Sequence, residues 1–159
     1  MRIFRTAEVA EICGLGVPTL YSYLHENYLP FTGRNEKPGT GRMAIFGINE
    51  IITIKVFGAL AKFGCSLADA SVVVKYLFTR LCASSKEREK YANGFLLVLR
   101  RVGKEGSDFL FTAPHANPED EFKWFKNQRG EGDFTAITLD LGRIVSEIEE
   151  LAEREVVEA

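Results

Sequence analysis

The chain has 159 residues, of which 46% are hydrophobic and 26% charged, and its formal net charge is −2. That length and apolar content suit one moderate core or two small ones. No apolar run approaches the roughly 20 residues of a membrane-spanning helix, and the N-terminus lacks a signal-peptide core, so a cytoplasmic protein with no membrane partner is expected.

In chain order, Phe4 to Leu24 spells two short helices separated by a three-residue turn. Thr6 is read as the N-cap of the first, because its hydroxyl can accept from free backbone amides of the first turn. Ala7, Val9, Ala10 and Ile12 then recur at helical spacing, and Gly14-Leu15-Gly16 stops the helix. The second helix restarts at Val17-Pro18, with proline at a first-turn position that needs no amide. Its inner face is Leu20, Tyr23 and Leu24, and its outer face is polar and of a size that suits a major groove. Such a pair of helices also occurs in all-α proteins with no DNA role.

Leu29 to Phe46 follows, broken by Pro30, Gly33, Pro38, Gly39 and Gly41, with Met43 to Phe46 as a strand. This segment reads as a loop or wing. Arg34, Lys37 and Arg42 are its candidate phosphate contacts, against one acid, Glu36. Asn49 is expected to cap a third helix with Ile51, Ile52, Ile54, Val56, Leu60 and Phe63 inward. Gly64 ends it. Ser66 to Asp69 has the form of a capping box for a fourth helix, from about Leu67 to Leu81, with Val72, Val73, Tyr76 and Leu77 as core.

Residues Phe4 to about Leu81 resemble the DNA-binding domain of the MerR family of transcriptional regulators. The resemblance rests on Thr19-Leu20 and Tyr23 in the second helix, Leu29-Pro30, and a glycine- and arginine-containing wing closing on Phe46. It continues through Asn49-Glu50-Ile51 and Gly64-Cys65-Ser66-Leu67. The chain departs from the family at Tyr21, where an arginine is usual, at Leu24, where an acid is usual, and in its Gly39-Thr40-Gly41-Arg42 wing. The resemblance implies a winged helix-turn-helix, with a recognition helix over 17–24, a wing over 31–46, and two copies on double-stranded DNA. Phage excisionases and terminase small subunits share the opening helices and a wing, and are the alternative.

The expected DNA contacts are Val17, Pro18, Thr19, Tyr21, Ser22 and Tyr23 from the second helix, with Arg34, Lys37 and Arg42 from the wing. Arg5 and Arg2 flank them. Residues 1–82 hold nine Lys/Arg against six Asp/Glu, and residues 83–159 hold eleven against sixteen. Only the front half is therefore expected to face nucleic acid.

The second half, 83–159, is expected to be a small α+β dimerisation or effector domain beside a DNA-binding domain over 1–82, giving an α+β chain overall. Ala83 to Lys90 is polar, either a linker or the end of the fourth helix. Phe95 to Val102, Asp108 to Ala113 and Phe134 to Leu139 are strand candidates, and Asn117-Pro118 opens a short helix with Phe122, Trp124 and Phe125. The chain ends in an amphipathic helix whose stripe is Leu141, Ile144, Val145, Ile148, Leu151 and Ala152. One sheet face is expected to be covered by helix, and the terminal stripe to serve both sheet and a second copy. Trp124 with Phe122 and Phe125 is the candidate ligand or partner patch, and RNA polymerase or another protein is the further partner of such a regulator.

Catalysis, a cofactor and a metal are not expected. His25 and His115 are the only histidines and no nucleophile elbow or phosphate loop accompanies them. Cys13, Cys65 and Cys82 lack metal-ligand spacing, and Cys13 and Cys65 sit where buried free thiols are expected.

Overall fold

The computed structural model describes residues 3–31, 34–35, 44–103, 106–115, 118–129 and 133–157. Over these the chain is mixed α+β, with seven helices and two three-stranded antiparallel sheets.

The first half opens on a two-residue strand, β1 (Phe4–Arg5), and the helices α1 (Thr6–Cys13) and α2 (Val17–His25). The short strands β2 (Arg34–Asn35) and β3 (Ala44–Phe46) complete a sheet in the order β1-β3-β2. Helix α3 (Ile48–Lys62) and helix α4 (Leu67–Ala83) follow. Three of these helices stop at a residue in the left-handed region, where a turn folds back onto the last carbonyls: Gly14 (φ 65°), Asn27 (φ 58°) and Gly64 (φ 91°). The amides just beyond close the turns, Leu15 N–H to Ala10 O, Tyr28 N–H to Tyr23 O and Cys65 N–H to Leu60 O.

Two expected caps are displaced toward the N-terminus, the first by one position and the second by two. The N-cap of α1 is Arg5, whose N–H donates to Glu8 Oε2 at 2.7 Å, while the buried Thr6 hydroxyl donates to Ala44 O at 3.1 Å. Thr6 thus ties the helix to β3 instead of capping it. The N-cap of α3 is Gly47, whose N–H donates to Glu50 Oε2 at 2.6 Å. Asn49 lies inside the first turn, and its amide donates to Leu81 O at 3.3 Å across to α4. At Ser66 the expected cap is present, with Asp69 N–H donating to its hydroxyl at 3.1 Å.

Helix α3 is the axis of the fold. Ile51, Ile52, Ile54, Val56, Phe57 and Leu60 are all buried, and α1, α4 and α7 pack against it. Phe63, expected inside, is 61% exposed at the helix end, and Phe57 takes the inner place. In α4 the buried stripe is Ala70, Val73, Val74, Leu77 and Leu81, so Val72 and Tyr76 face outward, against expectation.

The polar stretch after α4 is a separate helix, α5 (Ser85–Ala92), begun by Ser84, whose hydroxyl accepts from Glu87 N–H at 3.1 Å. The second sheet contains β4 (Phe95–Gly103), β5 (Gly106–His115) and β6 (Asp133–Asp140) in the order β5-β4-β6. Helix α6 (Pro118–Arg129) precedes β6, and α7 (Leu141–Val157) ends the chain. Both faces of β4 are covered, not one. Leu96 and Val98 join the main core, whereas Leu97 and Leu99 turn the other way toward Phe122 of α6. A strand buried on both sides carries the unbroken apolar run that Leu96 to Leu99 presents.

The stripe of α7 is largely spent inside the chain. Leu141, Val145, Ile148 and Ala152 are buried in the same cluster as Phe4, Leu20 and Phe57, and Leu151 alone of the expected stripe is exposed. No described helix is long and apolar enough to cross a membrane.

Candidate nucleic-acid interface

The first two helices are set by the Gly14 turn. Beyond it, Gly16 is the extended N-cap of α2 and Pro18 occupies its first turn. Leu20 and Leu24 are buried, and Tyr23 is half-buried, its ring edge-on to Phe57 with centroids 4.8 Å apart. Val17 is also half-buried and packs on the core. This inner face leaves Pro18, Thr19, Tyr21, Ser22, His25 and Glu26 on the exposed side. Of the six residues expected from α2, the structure therefore brings four to the surface and turns Val17 and Tyr23 inward.

The small sheet relates two arginines that lie 29 positions apart. Arg5 of β1 and Arg34 of β2 are both in register with Ile45 of β3, from opposite sides. With neighbouring strands about 4.8 Å apart, their backbones stand about 10 Å from each other in one row. Arg5 is exposed. Sequence reading placed Arg5 only as a flanking residue, because nothing in the chain announces that a two-residue strand at Phe4 will pair with Phe46. Lys37 and Arg42, with Arg2, lie outside the described residues, and for Arg34 only the backbone is described.

The remaining charge near α2 is acidic or titratable: Glu11 on α1 is exposed, as are Glu26 and His25. Cationic character in the described part of this region thus comes from Arg5 and the Arg34 position. Cys13, at the end of α1, is a half-buried thiol that donates to Ile51 O at 3.8 Å, and burial pushes it up to about 12. It is a packing group at the α1–α3 contact. Among the described residues no cluster of three or more His, Cys, Asp or Glu is arranged to hold a metal ion.

A second polar cluster joins the two halves of the chain. The Arg88 Nε–H donates to Asn49 Oδ1 at 3.1 Å, and Arg88 Nη2 donates to Glu149 Oε1 at 2.6 Å. Lys55 Nζ reaches Glu147 Oε2 at 3.2 Å, a further tie from α3 to α7. Tyr76 and Tyr91 hydroxyls lie 3.2 Å apart between α4 and α5, with the Arg80 guanidinium 5.0 Å above the Tyr76 ring centroid. Trp124, the expected partner patch, is 55% exposed on α6, while Phe122 is half-buried against Leu97 and Leu99.

Neither a model of any known protein family nor any curated protein matches this chain.

Proposed function

We propose that the chain is a DNA-binding regulator of MerR-like type. Residues 4–81 act as a winged helix-turn-helix, and two copies bind a duplex with two half-sites. Helix α2 enters the major groove, with Thr19, Tyr21 and Ser22 reading base edges and phosphates. Arg34, Lys37 and Arg42 clamp the backbone from the segment between Phe31 and Phe46, and Arg5 extends that row of charge.

The observation that carries the reading is the outer face of α2. A nine-residue helix buries Leu20 and Leu24 and leaves Pro18, Thr19, Tyr21 and Ser22 in solvent. Short hydroxyl side chains on such a face let the helix backbone come close to base edges. The positions of Arg5 and Arg34 beside Ile45 support a cationic rim on the same half of the chain. Hydroxyls discriminate bases weakly, so most of the affinity comes from phosphate contacts and is sensitive to salt.

The test is fluorescence anisotropy with duplexes selected from a random pool, titrated at several salt concentrations. Thr19→Ala combined with Tyr21→Ala is expected to weaken binding to the selected site by roughly tenfold, which is about one lost hydrogen bond. Arg42→Ala, which removes one phosphate contact from each of the two copies, is expected to lower the salt slope by about 2. Absence of binding to every duplex in dilute salt overturns the reading, and an unchanged slope for Arg42→Ala removes the wing from it.

A further inference from the structure

The terminal helix has little apolar surface left for a second copy among its described side chains, because its stripe, Leu151 apart, is packed against α3, α5 and β4. A different element offers one. Strand β6 is an edge: among the described residues it has β4 on one side and no strand on the other. An edge strand carries a row of backbone donors and acceptors that can pair with another chain, and proteins ordinarily blunt such edges with charge, proline or a covering element.

The two edges of this sheet differ in that respect. Strand β5 carries Asp108 and the amide-less Pro114, lies against α5, and shows a register irregularity where it pairs with Phe95 to Leu97. Strand β6 spans eight residues, and between Asp133 and Asp140 it reads Phe-Thr-Ala-Ile-Thr-Leu, with no charge, proline or glycine. Its β-branched and aromatic residues favour an extended chain. The exposed side chains of its described part are Ala136 and Thr138, both small or short, and Asp140 at its end, which turns to accept from Arg143 N–H at 2.9 Å.

We infer that β6 pairs antiparallel with β6 of a second copy, joining the two sheets into one of six strands across a two-fold axis. Residues opposite each other in an antiparallel pair share a face of the sheet. Ile137 and Leu139 belong to the inner face, and Ala136 and Thr138 to the outer one. A register centred on Ile137, with Ile137 opposite its own copy and Ala136 opposite Thr138, keeps the two faces continuous and pairs most of the strand. The uncharged run between the two terminal aspartates is self-complementary in this arrangement, and those aspartates do not confront each other. Pairing of one eight-residue edge buries less than the ~800 Å² per partner of a standard interface. The dimer is consequently weak and concentration-dependent. The pairing follows from the strand alone and does not depend on DNA binding.

The test is sedimentation equilibrium of the full chain over a concentration series. Two variants accompany it, A136K/T138K and A136E/T138E, both altered at exposed positions. The wild-type chain is expected to dimerise reversibly and each variant to be monomeric. An equimolar mixture of the two variants is expected to recover a heterodimer, because lysines then oppose glutamates. A wild-type chain that is monomeric throughout overturns the inference, and so do variants that dimerise as the wild type does. If a variant loses its circular dichroism, hydrogen exchange of the wild type decides instead: protection of the 134–139 amides must rise with concentration, and protection independent of concentration overturns the pairing. A monomer that still binds duplex DNA defeats this pairing and leaves the DNA reading standing.

Discussion

Arg88 and Glu149, 61 positions apart, meet at 2.6 Å and link the helix after α4 to the helix that ends the chain. The same guanidinium holds Asn49 at the start of α3, so one side chain spans both halves. Both partners are partly exposed, at 30% and 41%, so solvent screens most of the ion pair. Arg88→Ala is expected to lower stability by about 1 kcal/mol, chiefly through the lost hydrogen bonds. Glu149→Gln keeps an acceptor for Arg88 and is expected to lose less than about half of that. Urea unfolding checks both, and equal losses from the two variants would contradict this ordering.

Gly58 sits in the interior of α3, where glycine is a poor helix former. A Cβ there would meet Leu15 Cδ2 at 3.6 Å, an ordinary contact. Gly58→Ala is therefore expected to stabilise the chain, by up to about 1 kcal/mol. Thermal unfolding should show a raised midpoint, and a lowered one would mean that Leu15 cannot share the space.

The three thiols differ in reach. Burial holds Cys13 up at about 12, burial also raises Cys65, and Cys82 is exposed at the end of α4. Treatment of the folded chain with iodoacetamide near neutral pH should label Cys82 first and leave Cys13 unmodified until denaturant is added. Peptide mass spectrometry reads the order. Early labelling of Cys13 would show that the α1–α3 contact opens readily.

Acid should loosen the attachment of α7. The Arg143 guanidinium and then the Lys55 ammonium, by hydrogen bonding to Glu147, hold its carboxyl below the ordinary 4.5. A carboxyl lowered by folding stabilises the fold while it is ionised. That contribution is complete above 4.5 and is lost as the pH falls through the lower folded value. Glu147→Gln should therefore reduce stability at neutral pH by well under about 1 kcal/mol and make the acid limb of the pH profile shallower. An acid limb identical to that of the wild type would remove Glu147 from the account.

Much of the architecture was legible where a residue has one physical use. Gly14, Pro18, Gly64 and Ser66 punctuate the helices as their chemistry demands. The misses differ in cause. Thr6 and Asn49 are good cap residues, but an acid three positions after Arg5 and Gly47 takes the cap amides and frees both side chains for contacts 38 and 32 residues away. Val72 and Tyr76 repeat at helical spacing as convincingly as Val73 and Leu77, so the phase of α4 follows only from what packs on it. Helix α5 has a single buried residue, Tyr91, and thus no period to read. In the candidate interface, Thr19, Tyr21 and Ser22 were legible as the outer face of α2, whereas Tyr23 goes inward to Phe57. The row formed by Arg5 and Arg34 was not legible, because pairing between strands of two and three residues leaves no alternation in the sequence.

Enclosure of α3 has a practical corollary for anyone dissecting the molecule. Its Ile, Val and Phe side chains are shielded by α1 and α4 from one half and by α7 from the other. A fragment cut after residue 82 would bare the strip that Val145 and Ile148 now cover, and a fragment starting there would bare the reciprocal strip. Recombinant pieces divided at that point should precipitate or cling to one another, and co-expressing them should restore solubility.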